Sequence, residues 1–71
     1  MVFVYAGSLE TGEVLHALIR NDDMEITKTI EGFIKALGPG SVVWAIYNAS
    51  QTEEVRDVQF NNYLNTVFQT V

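Results

Sequence analysis

Three sets of residues in this chain have types and spacings that could do chemistry. Gly7-x-x-x-x-Gly12 follows an apolar run and has the glycine spacing of a phosphate-binding loop. That motif continues with Lys and then Ser or Thr, which meet the phosphates and the magnesium. Here Glu13 and Val14 follow, and an acid at that point repels phosphate. The glycines therefore read as an ordinary hairpin loop. His16, the single histidine, needs a nucleophile or an orienting carboxylate beside it to act as a general base. Ser8 and Glu13 are near in sequence, but hairpin geometry need not bring them together. A lone histidine among apolar neighbours reads as a strand residue.

The acids form the third set, grouped as Glu10/Glu13, Asp22/Asp23/Glu25 and Glu53/Glu54/Asp57. Calcium loops alternate their oxygen ligands around a glycine, a pattern absent from these groups. A helix N-terminus recruits acids anyway, because they satisfy free amides and the positive end of the dipole. Paired carboxylates for glycosidic chemistry need a cleft, and a short chain has little material to build one. The expectation is no catalytic residue, no metal and no cofactor.

Charge narrows the partners. Nine acids against four bases leave a net charge of −5. Arg20, Lys28, Lys35 and Arg56 are too few and too scattered to neutralise phosphates, so direct nucleic-acid binding is not expected. A basic protein surface is the complementary partner, although acids also serve plain solubility. Aromatic residues add possible anchors: Tyr5, Trp44 and Tyr47 lie in apolar runs, and Tyr and Trp often carry binding energy at interfaces. The expected partner-binding set is thus Tyr5, Glu10, Glu13, Trp44, Tyr47, Glu53, Glu54 and Asp57.

These residues need elements to position them. Seventy-one residues leave room for one domain, 1–71, with a thin stability margin. A composition 48 % hydrophobic and 18 % charged is a folding one, with more apolar surface than so small a body can hide. There is no cysteine, hence no disulfide or Cys-based zinc site, which favours a cytoplasmic setting. No run approaches the roughly 20 apolar residues that span a bilayer, and residues 1–6 lack a basic leader, so neither a membrane span nor a signal peptide is expected.

Residues 2–6 read as a strand ending at Gly7-Ser8. Residues 13–20 fit either a helix or a strand. Leu9-Glu10-Thr11-Gly12 supplies a hairpin turn, which predicts a strand over 13–20. Asp22 or Asp23 caps the next element, and Ile26, Ile30, Phe33, Ile34 and Leu37 form one stripe of a helix over 23–37. Gly38-Pro39-Gly40 stops it. Residues 41–48 form a strand apolar on both faces, as in a central strand or one covered by another molecule. In the last third, Phe60, Tyr63, Leu64, Val67, Phe68 and Val71 make a helical stripe that misses Val55 and Val58. One helix from about Gln51, with Ser50-x-x-Glu53 as its capping box, is favoured over a strand at 54–60. A faint echo between residues 5–14 and 47–55 keeps a second hairpin, and a β-β-α-β-β-α order, as the alternative.

The sequence thus predicts an α+β fold, a small two-layer sandwich in the order β-β-α-β-α with a mainly antiparallel sheet. The C-terminal stripe is expected to pack on the open sheet face, with a bare face as the alternative. The function expected is a small acidic protein-binding module, an inhibitor or adaptor docking on a basic, even nucleic-acid-binding, protein, such as a phage protein aimed at a host. The alternatives are a homodimer with an apolar symmetric interface and, more remotely, a small enzyme with an intersubunit site at His16.

Overall fold

The computed structural model of the chain describes residues 1–70. Its elements run β1 (Val2–Ser8), β2 (Val14–Ile19), α1 (Asp23–Leu37), β3 (Val42–Asn48) and α2 (Glu53–Thr70). The strands form one antiparallel sheet in the order β2-β1-β3. This is a small α+β fold with the element order the sequence predicts.

Turn chemistry makes the first hairpin. Gly12 takes a φ of +77°, a conformation that costs glycine little, and its N–H donates to the Ser8 carbonyl at 2.9 Å. Ser8 N–H donates to the Glu13 carbonyl and Ser8 Oγ accepts from Thr11 N–H, so the loop is tied at its base. The strand assignment for residues 13–20 holds, as β2 pairs with β1 from Gly7↔Val14 to Val2↔Ile19.

In α1, Asp22 is extended and its Oδ1 accepts from the N–H groups of Met24 and Glu25, at 2.9 and 3.1 Å. An Asp cap of this kind stabilises a helix by about 1 kcal/mol. Gly38, at φ +95°, ends the helix and donates to the Ile34 carbonyl. The second helix is capped differently from the expectation. Ser50 is held in a turn by Asn48 Oδ1, and Thr52 Oγ1 accepts from Val55 N–H instead. Residues 54–60 are helical, so the second-hairpin alternative is excluded.

Alternation along β1 sends Phe3, Tyr5 and Gly7 to one face and Val2, Val4, Ala6 and Ser8 to the other. Each helix takes one face. α2 lies on the Tyr5 face, its Phe60 ring 5.1 Å from that of Tyr5. α1 packs mainly on β1 and covers the Val4 face, where Val4, Ala6 and Ile19 are buried. The sheet and α1 thus carry α2 as a further partial layer: of the C-terminal stripe Phe60 is buried, Leu64 and Val67 are half-buried, Tyr63 and Phe68 are exposed, and Val71 lies outside the described residues.

The two helices are offset. On the Tyr5 face α2 packs along the β3 side and leaves Val14, His16 and Leu18 of β2 exposed. On the Val4 face Trp44 and Ile46 of β3 remain 44 % and 41 % exposed. Of the two readings of residues 41–48, the central strand is excluded: β3 is an edge strand, and the central strand is β1. One apolar face of β3 meets α2, and the other is only partly covered by α1.

Candidate functional site

The eight residues expected to bind a partner do not form one surface. Tyr5 is a correction: it is 2 % exposed, at the centre of an aromatic cluster, and is unavailable to a partner. Its ring stacks on His16 at 5.0 Å, meets Tyr47 edge-on at 5.4 Å and touches Phe60. Tyr5 anchors the core because β1 is central and its neighbours on that face are aromatic.

Tyr47 is half-buried on the same face, in β3. Burial pushes its hydroxyl pKa above the ordinary tyrosine value, with smaller contributions from Tyr63 and Tyr5 nearby. A raised pKa means the fold favours the neutral phenol. That stabilisation is complete below about pH 10, the unfolded value, and is lost as pH rises through the folded value. In an alkaline absorbance titration Tyr47 should therefore ionise later than it does in the unfolded chain, and Tyr47→Phe should remove its contribution from the late part of the curve.

Trp44 lies on the opposite face from Tyr47 and is exposed. The aromatic anchors thus reduce to one accessible ring.

The acids divide by ends of the sheet. Glu10 and Glu13 flank the β1–β2 turn, at the end where β1 finishes. The register Val2↔Ile19 and Val2↔Asn48 puts the exits of β2 and β3 together at the other end. Both helices begin there. Asp23 and Glu25 occupy the first turn of α1, and Glu53 and Glu54 that of α2. With the cap Asp22 and with Asp57, six of the nine acids are placed at this end, all exposed. Asp57 has a further role, accepting from the Tyr5 hydroxyl at 3.3 Å.

Two of the four bases, Arg20 and Arg56, sit at the same end and leave it with four negative charges in excess. Arg20 is exposed in the loop before α1. Arg56 is only 7 % exposed, with its guanidinium 3.8 Å above the centre of the Phe3 ring and Nη1 donating to the Gln51 carbonyl. Sequence reading missed Arg56 as a core residue. The available signal was its spacing, because Arg56, Phe60, Leu64 and Val67 continue one helical stripe, whereas Val55 and Val58 face water.

His16 is exposed on β2, and its ring stacks against Tyr5. Among the described residues no group of three acids or histidines is arranged to hold a metal ion. No helix among them is long and apolar enough to cross a membrane. The chain matches no protein-family model, no curated protein and no solved structure.

Proposed function

We propose that this protein is a small acidic binding module that docks on a basic surface of a larger protein, through the end of the sheet where both helices begin. The observation that supports this reading is the gathering of six of the nine acids at that one end. They come from two separate stretches of sequence and from helices on opposite sides of the sheet. Capping alone accounts for an acid or two at each helix start. Their convergence from both sides produces a local negative field that steers a basic partner and fixes its register.

An inhibitor that presents carboxylates where a nucleic-acid-binding protein would hold phosphates is the special case of this class. A phage or mobile-element protein aimed at a host factor would suit that role.

The test is capture of partners from a lysate of the source organism, with washes at low and high salt. A stoichiometric basic protein should be retained at low salt and released at high salt, because exposed charge pairs are screened within about 8 Å at physiological ionic strength. Charge reversal at Glu53 and Glu54 should weaken capture more than Trp44→Ala does. A partner that resists salt and depends on Trp44 instead would place the docking surface elsewhere.

A further inference from the structure

Strand β3 is an edge without the devices that normally keep an edge from pairing. Such edges are blunted by charge, proline, a bulge or short length. β3 is seven residues long, and its register with β1 is continuous from Val2↔Asn48 to Ser8↔Val42, so it has no bulge. It contains neither proline nor charge, and no charged residue lies between Lys35 and Glu53. The other edge, β2, is shorter and is bracketed by Glu13 and Arg20.

We propose that β3 pairs antiparallel with β3 of a second copy of this chain, about a two-fold axis through Ala45, to give a continuous six-stranded sheet. The occupant follows from the strand's own symmetry. A two-fold perpendicular to the sheet pairs residues of like parity, and with Ala45 at the centre it sets Trp44 opposite Ile46 of the second copy. Val43 then faces Tyr47, and Val42 faces Asn48. Aromatic–β-branched cross-strand pairs of this kind stabilise sheets. Trp44 and Ile46 are the residues of β3 that α1 leaves uncovered, so pairing buries an open face as well as an open edge.

Charge permits this orientation despite −5 on each chain, with Glu10 beside Ser41 as the one nearby acid at the facing end. Antiparallel pairing places the acidic end of one copy beside the Ser41 end of the other. The two acidic ends then stand at opposite corners, separated by roughly the 20 Å length of the strand, more than two Debye lengths at physiological salt.

Size sets the strength. A seven-residue strand is about 23 Å long, and the molecule measures 30 × 25 × 17 Å. The paired flank therefore buries at most roughly 1,200 Å² in total, at the lower bound of stable interfaces. The dimer is reversible and depends on concentration. It leaves the acidic ends free, so it stands independently of the docking reading and makes a docked assembly bivalent.

Trp44 is the only tryptophan and reports on its own burial. Molar mass by light scattering should rise from 8.0 kDa towards twice that value as concentration increases, and Trp44 emission should shift to the blue in step. Ile46→Lys should raise the dissociation constant at least tenfold while keeping the far-UV spectrum and the melting curve of the dilute protein. That substitution reduces the net negative charge, so simple repulsion between copies predicts the opposite change. A monomer at every concentration up to millimolar overturns the proposal. So does mass doubling with unchanged Trp44 emission, or an Ile46→Lys variant that dimerises like the parent.

Discussion

Replacing Phe60 with alanine should cost about 3–5 kcal/mol, the range for deleting a buried aromatic ring. Phe60 is 3 % exposed and packs its ring against the centre of the sheet. Its ring lies against Tyr5 and over Gly7, where a Cβ would stand 3.4 Å from Phe60 Cζ. The glycine lets an aromatic ring approach the backbone of β1, and alanine at position 60 would leave that space empty. Domains of this size hold roughly 0.05–0.15 kcal/mol per residue, so the loss is comparable with the total. The expected result is a chain largely unfolded at 37 °C, read by circular dichroism and urea melting. Val58→Ala is the control two residues away. Val58 is 59 % exposed on the outer side of α2, and its truncation should stay within about 0.5 kcal/mol. If the two variants melt alike, α2 does not pack on the Tyr5 face.

Arg56 gives the second large effect, and two substitutions separate its causes. The side chain is buried, stacked on Phe3 and bonded to the Gln51 carbonyl, while its Nε has no hydrogen-bond partner among the described residues. Arg56→Ala removes the stem packing, the cation–π contact and the hydrogen bond together, and should cost about 2–3 kcal/mol. Arg56→Met keeps an apolar stem over Phe3 and removes a buried cation whose desolvation is costly. Its expected loss is about 1 kcal/mol or less. Equal losses in the two variants would mean that the charge, rather than the stem, holds α2 to the sheet. Urea midpoints at constant m-value provide the comparison.

Much of this architecture is legible locally. Gly12 marks the hairpin turn, Asp22 the start of α1 and Gly38 its end, because each acts through backbone groups within a few residues. The position of β3 in the sheet is not legible in that way. Two apolar faces suggest a central strand, but the pattern also fits an edge strand with α2 on one face and only the margin of α1 on the other. Arg56 is obscured for a related reason, since a charged side chain with a long apolar stem reads as surface. The acidic end is visible only after topology is known. Asp22–Glu25 and Glu53–Asp57 are far apart in the chain, and the shared exit of β2 and β3 brings them to one end. The same topology separates Glu10 and Glu13 from them and buries Tyr5.

That separation supplies the most direct test of the docking account. Glu53→Lys/Glu54→Lys and Glu10→Lys/Glu13→Lys change the net charge equally but at opposite ends of the sheet. The measurement is the affinity of each double variant for the captured basic partner at physiological salt. A loss of tenfold or more is expected for Glu53→Lys/Glu54→Lys and a clearly smaller one for Glu10→Lys/Glu13→Lys. Equal losses would mean that net charge alone attracts the partner, and a larger loss at Glu10 and Glu13 would move the docking surface to the hairpin end.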